Sequence, residues 1–141
     1  AGPFYIVDNI NLMACELPSN YTSYPRTSNL ADKDISTCNE ITGSALAVQN
    51  LDIFIRNPKV IVVSNNTCSP SSGIFVRVES YCAQPLCPSK VCYPGLPKDV
   101  TGTDLIKCSY TCTVNAGPQI QKILLMIPSD AQICEVAVTE S

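Results

Sequence analysis

The chain is 141 residues long, a length at which one hydrophobic core is usual, so we expect a single domain over residues 1–141. Hydrophobic residues make up 45% of it and charged residues only 15%, which excludes a disordered or solvating polypeptide. The net charge is −3 and the Lys and Arg residues are scattered along the sequence, so neither nucleic acid nor an anionic membrane is an expected partner.

Strand-like runs rich in Val, Ile, Phe or Tyr recur along the chain, each bounded by residues typical of turns. In chain order they are FYIVDNINLMA, ALAVQNLDIFI, KVIVVSN, GIFVRVESY, KILLMIP and CEVAV. Pro58 precedes the third run, where it fits the start of a strand and not its centre. No stretch of a dozen residues keeps helical apolar spacing between capping signals, so helices are expected to be short or absent. The pattern predicts an all-β sandwich.

Two stretches between these runs are predicted to be loops. Residues 16–40 are polar and carry Asp32, Asp34 and Glu40, and residues 82–99 are rich in proline and cysteine. Long loops on a rigid sheet often carry binding sites, and we expect the site in the first loop. The part of the second loop from Cys82 to Cys92 is either a disulfide-stapled solvent loop or a special binding surface.

Nine cysteines in so short a chain indicate disulfides formed in an oxidising compartment, so we expect a secreted, extracellular protein. No two of them have the C-x-x-C spacing of a zinc ribbon. Because nine is odd, one cysteine is left over if all the others pair within the chain. It is free and buried, capped, or bonded to another chain, and an oligomer, disulfide-linked or non-covalent, is therefore an open alternative.

Other features agree with secretion. Asn20 and Asn65 each begin an N-glycosylation sequon. Ala1 is interpreted as a mature N-terminus after removal of a signal peptide. The longest apolar run, KILLMIP, is too short to span a bilayer, so membrane insertion is not expected.

The chain contains no His, which excludes Ser-His-Asp and Cys-His nucleophiles and imidazole zinc sites. Asp32, Asp34 and Glu40 could in principle act as an acid and a base. Acidic loop residues are more often solvated or bound to a metal, so we expect that the protein is not an enzyme.

Asp32 and Asp34 have two interpretations. Short acidic side chains in a loop accept hydrogen bonds from nearby backbone N–H groups and form Asx-type turns. Closely spaced oxygen ligands together with backbone carbonyls are also what Ca²⁺ takes at its six to eight positions. An EF-hand is excluded, because DKDISTCNEITG lacks the central Gly.

The segment SNLADKDISTC resembles the "SNA-DGN...SC" segment of the F-type lectins (fucolectins), and ICEVAV resembles their closing LCEVEV strand. The stretch from VCYPGLPKDVTGTDLIKC to QKILLMIPSDAQICEVAV is similar to the last third of that family in order and spacing. The resemblance runs from about Asn9 to Val138. It implies a single jelly-roll β-sandwich of the discoidin-like, galactose-binding class, with calcium as a bound cofactor.

Carried over by position, the calcium shell of this family falls on Asn29, Asp32, Asp34, Thr37, Cys134 and Glu135. The resemblance further implies a disulfide from Cys38 to Cys134, and a second one from Cys92 to Cys108, or to Cys112 if the register slips. Regular alternation would place Cys134 and Glu135 on opposite faces of their strand. The implied site therefore requires an irregular strand at that point, or a ligand contribution from the carbonyl of Cys134.

The sugar site departs from the family pattern. Glu40 occupies the position of the fucose-binding His, Asn65 that of the first Arg, and SPSSG the region of the second Arg. A polar contact left without its partner costs about 1 to 3 kcal/mol, so ordinary fucose binding is not expected. A glycan on Asn65 would cover the mouth of that pocket.

From these features we predict a secreted, calcium-stabilised, F-type-lectin-like recognition module. Its ligand would be a glycan other than fucose, or an extracellular protein, bound at the loop end near Glu40 and Asn65. One alternative is a structural or adhesive subunit of an extracellular assembly that binds no sugar, to which the odd cysteine points. Another is a secreted signalling or reproductive recognition protein, for which the sequence carries no specific mark.

Overall fold

A computed structural model describes residues 4–12, 27–28, 30, 34–55, 57–68, 73–80, 90–112 and 120–140 of the chain. In these residues the protein is all-β, as predicted, and no helix occurs. The strands are β1 (Phe4–Asp8), β2 (Thr27–Ser28), β3 (Asn39–Ile41), β4 (Ala45–Ile55), β5 (Pro58–Ser64), β6 (Phe75–Ser80), β7 (Lys90–Pro94), β8 (Lys98–Asp99), β9 (Ile106–Thr111), β10 (Ile120–Ile127) and β11 (Ala131–Glu140). Within the described ranges no helix is long and apolar enough to cross a membrane.

The predicted loop over residues 82–99 is wrong in its second half, where β7 and β8 lie. Prolines at 94 and 97 are typical of turns, but Pro94 is the last residue of β7, a position at which a missing N–H is tolerated. The predicted loop over residues 16–40 likewise contains the short strand β2 and most of β3.

The strands form one sheet, nearly closed into a barrel-like shape, in the order β2-β1-β4-β10-β6-β7-β9-β5-β11-β3, with β8 also paired to β9. Strand β7 pairs with β6 on one side and with β9 on the other, so it joins two halves of the sheet. We call strands β2, β1, β4, β10 and β6 the β4 half, and β8, β9, β5, β11 and β3 the β5 half. The jelly-roll sandwich implied by the resemblance stays a prediction.

The main core lies between the inner faces of the two halves. Alternate residues of each strand supply it, as the burial pattern of β5 illustrates, with Val60 and Val62 buried and Lys59 exposed. Its largest side chain is Tyr110 of β9, which is completely buried. The Tyr110 hydroxyl donates a 2.6 Å hydrogen bond to the carbonyl of Ile74, directly before β6, and so connects the two halves through the core.

Replacing Tyr110 by Phe is expected to lower the free energy of unfolding by about 1 to 3 kcal/mol, because the buried Ile74 carbonyl loses its hydrogen bond. Burial also raises the pKa of Tyr110. A tyrosine of the unfolded chain ionises near pH 10, so the stability contributed by neutral Tyr110 is complete below about pH 10 and falls as the pH rises further. Denaturant unfolding at neutral pH and at about pH 11 measures both effects.

The exposed Tyr93 provides the matched control, since it is 68% accessible and its hydroxyl forms no such bridge. Tyr93→Phe should leave stability and its pH dependence unchanged. Equal losses in the two variants would show that the bridge between the halves is not a source of stability.

The outer face of the β4 half carries a second apolar cluster. Its central side chains are each at most 4% exposed and come from three adjacent strands: Val7, Leu46, Val48, Leu124 and Met126. Ile10 and Leu12, which follow β1, pack against this cluster. Both faces of the sheet are therefore buried at the centre of β1, β4 and β10.

Candidate functional site

Strand β11 is irregular at the position where the sequence places its cysteine beside an acid. The register of β11 against β5 shifts between Ile133 and Glu135, as in a β-bulge. Ile133 and Val136 both contribute to the inner core, whereas Cys134 packs with Val63 on the outer face. Glu135 is paired directly with Val63 and shares its face. The irregularity that the implied site requires is thus present, and it brings Cys134 and Glu135 to one face.

Two connections fix the first predicted loop to β11 on either side of Glu135. Cys38 and Cys134 form a disulfide, with their Cα atoms 3.9 Å apart, as the resemblance implies. The N–H of Val136 donates a 2.6 Å hydrogen bond to the carbonyl of Leu30, whose side chain is fully buried. These connections involve the two chain neighbours of Glu135, and Glu135 itself is only 8% exposed.

Asp34, in this loop, forms an Asx-type turn. Its Oδ1 accepts hydrogen bonds from the Ser36 N–H (2.9 Å) and the Ser36 hydroxyl (2.6 Å). These two bonds, the hydroxyl first, hold the pKa of the Asp34 carboxyl below its usual value. The Asp34 carbonyl accepts from the N–H (3.2 Å) and the hydroxyl (2.9 Å) of Thr37. Of the two interpretations of the acidic loop, the turn is the one observed at Asp34.

The described members of the calcium shell differ in how well they fit a cation. Glu135 fits, because a buried carboxylate is stabilised by positive charge. Asp34 and Thr37 are exposed, and their oxygens take part in the turn. The Cys134 sulfur is in the disulfide, so only its carbonyl is left as a ligand. Among described residues no group of three or more His, Cys, Asp or Glu could hold a metal ion, and Asn29 and Asp32 lie outside them.

The two predicted ligand-binding residues lie on either side of Gln132 in β11. Glu40 of β3 is paired with Gln132 across one edge of the strand. On the other edge Asn65, directly after β5, donates its N–H to the Gln132 carbonyl (3.1 Å), and its Oδ1 accepts from the Gln132 N–H (2.8 Å). Glu40 and Asn65 are both exposed. The structure thus brings them to one end of the β5 half, beside the loop tied to Cys134.

One of the two predicted glycosylation sites lies in the described part of the chain. Asn65 is exposed and lies in the turn after β5, a position accessible to modification. Asn20 lies outside the described residues.

The predicted Cys92–Cys108 disulfide is wrong, and the alternative given by a register slip is correct. Tyr93 of β7 is paired with Thr111 of β9, so the antiparallel register continues to place Cys92 opposite Cys112. The observed disulfide joins these two residues, with their Cα atoms 4.3 Å apart. Cys108 lies four residues before Cys112 and is bonded to Cys68.

Three disulfides are therefore described, and Cys15, Cys82 and Cys87 lie outside the described residues. The Cys68–Cys108 disulfide ties the turn after Asn65 to β9. Sequence reasoning missed this pairing because it predicted no strand at β9. It also missed Leu30 and Gln132, although a single large apolar residue in the polar segment SNLADKD is a signal for Leu30.

Comparison with protein families, curated proteins and solved structures gives no match to this chain. The resemblance to F-type lectins accordingly rests on the quoted motifs.

Proposed function

We propose that the protein is a secreted recognition module, stabilised by calcium, that binds a glycan other than fucose or an extracellular protein. The ligand would bind at the end of the β5 half where Glu40, Asn65 and the loop from Leu30 to Cys38 meet. Three disulfides in a chain of this size support an extracellular location. Calcium would be held by Glu135, the Cys134 carbonyl and oxygens of the acidic loop.

The observation that carries this proposal is the irregular strand at Cys134. A regular β11 would direct Glu135 away from the disulfide and the loop. With the bulge, one acidic side chain is buried between two connections to a loop that contains further acids. A cation bound there stabilises the carboxylate and holds the loop in position for a ligand, which is the role that calcium has in many extracellular modules.

Calcium at saturating concentration is expected to raise the melting temperature, and a chelator is expected to lower it again. A ligand that binds only the folded state at about 100 times its dissociation constant adds about 2.7 kcal/mol to the free energy of unfolding. Glu135→Gln should remove this response because it removes the buried charge. Thermal unfolding followed by circular dichroism measures the shift.

Glu40→Gln is the matched control, since it makes the same chemical change at an exposed residue of β3. It should keep the full calcium response. A wild-type protein whose melting temperature is the same in calcium and in chelator would contradict the calcium part of the proposal.

Glycan recognition is tested separately by an array of immobilised glycans probed with calcium and with chelator. Binding to a defined set of glycans that disappears in chelator supports the proposal. If the protein binds no glycan but still responds to calcium, glycan recognition is excluded. The ligand would then be a protein, or the chain would be a structural subunit.

A further inference from the structure

The outer face of the β5 half differs from that of the β4 half, because most of its side chains are accessible. Three rows of side chains cross it in register. The first row consists of the exposed residues Tyr93, Thr111, Lys59 and Thr139. The second row consists of the half-buried residues Ser109, Ile61 and Ala137. In the third row the lysines Lys98 and Lys107 are exposed, and Val63 and Glu135 are buried. We call these three rows the β5 outer face.

The β5 outer face is basic although the protein as a whole has a net charge of −3. Lys59, Lys98 and Lys107 are scattered along the sequence, and the register of β5, β8 and β9 collects them on one surface. The described acid on this face, Glu135, is only 8% exposed. Asp99 follows Lys98 in β8 and so alternates to the opposite face.

Lys98 and Lys107 are directly opposite each other in the β8–β9 pair. Like charges at directly opposite positions destabilise a sheet. Neither lysine forms an ion pair with another described residue, so no described acid offsets the repulsion. An anion bound between the two ammonium groups would offset it.

We propose that the β5 outer face binds a sulfated polysaccharide. Lys59 lies four residues along β5 from Val63, the residue paired with Lys107, so the first and third rows are about 13 Å apart. Positive charges at this separation suit an extended polyanion better than a single small anion. The exposed ring of Tyr93 offers an apolar surface to a sugar ring, and the hydroxyls of Thr111 and Ser109 can hydrogen-bond sugar hydroxyls. Glu135, the proposed calcium ligand, lies at the margin of this face and is buried, so the exposed lysines, Tyr93 and the hydroxyls form the proposed surface and binding does not require calcium.

The test is binding of the full chain to immobilised heparin, as a representative sulfated polysaccharide, at low and at physiological salt. We expect binding that weakens as salt increases, because exposed charges are screened. The double substitution Lys98→Ala/Lys107→Ala should weaken binding about tenfold at low salt. Its melting temperature should be no lower than that of the unchanged protein, because the substitution removes a repulsion.

Lys90→Ala is the matched control. Lys90 is exposed, but it lies at the start of β7, where it is paired with Val78 of β6 and is not part of the β5 outer face. It should bind heparin as the unchanged protein does, and Lys98→Arg/Lys107→Arg should also retain binding. Equal weakening by Lys90→Ala would overturn the proposal, as would no binding of the unchanged protein. Lysine-dependent binding to phosphatidylserine vesicles that heparin fails to displace would also overturn it, in favour of a membrane surface.

Discussion

Replacing Cys38 and Cys134 together by Ser is expected to lower the free energy of unfolding by about 4.7 kcal/mol. The disulfide joins residues 96 positions apart, so in the chain-entropy account it removes a large part of the conformational freedom of the unfolded chain. The substitution also disconnects the loop from β11 beside the buried Glu135, so the calcium response should be lost with it. Urea unfolding monitored by circular dichroism measures the change.

The Cys92–Cys112 disulfide supplies an internal comparison. It joins residues only 20 positions apart in neighbouring strands, for which the same account gives about 3.3 kcal/mol. The Cys92→Ser/Cys112→Ser protein should therefore be the more stable of the two double variants, and it should still respond to calcium. The reverse order of stability would show that the Cys38–Cys134 disulfide contributes less to the free energy of unfolding than the Cys92–Cys112 disulfide does.

Replacing Gly73 by Ala is expected to lower the free energy of unfolding by about 3 kcal/mol or more. A Cβ atom at this position would overlap the carbonyl of Thr67, which accepts a 3.0 Å hydrogen bond from the Ile74 N–H. That bond and the bridge between Cys68 and Ile74 hold the two sides of residues 69–72 together. Because backbone lies against backbone here, the structure has no flexible side chain that can move aside.

Gly95→Ala is the comparison for this prediction. Its nearest neighbour would be the Ser109 carbonyl at 3.7 Å, an ordinary van der Waals distance, so the substitution should change stability by less than about 0.5 kcal/mol. If chemical denaturation gave similar midpoints for the Gly73→Ala and Gly95→Ala proteins, the close approach of Thr67 to Gly73 would not be a constraint on the fold.

The longer strands of this fold are predictable from the sequence. The run ALAVQNLDIFI corresponds to β4, and β5 begins at Pro58 as expected. These strands have continuous or alternating apolar residues because they are buried on one face or on both. Their local pattern therefore carries most of the information that determines their structure.

Strands β7 and β9 are harder to predict, for a physical reason. The inward positions of β9 are Ile106, Cys108 and Tyr110. Cysteine and tyrosine also occur in disulfide-stapled loops, so these two residues do not by themselves indicate a strand. Strand β7 is short and ends at a proline. Both are stabilised by pairing with distant parts of the chain, and the sequence of one strand does not contain that information.

The candidate site was predictable in part. The motif around Cys134 implied both the disulfide to Cys38 and an irregular strand, and the structure contains both. The loop residues Asn29 and Asp32 stay predictions as calcium ligands. The collection of lysines on the β5 outer face was not predictable, since it follows from the register of three strands and not from any local cluster in the sequence.

The difference between the two outer faces determines which parts of this protein can diverge. A polar replacement of Leu46 or Leu124 would place a polar group in a closed apolar cluster and reduce stability by several kcal/mol. Replacements at exposed Thr111 or Thr139 change stability by about 0.5 kcal/mol or less. Selection for a new binding partner can therefore act on the β5 outer face, while the outer face of the β4 half is restricted by folding.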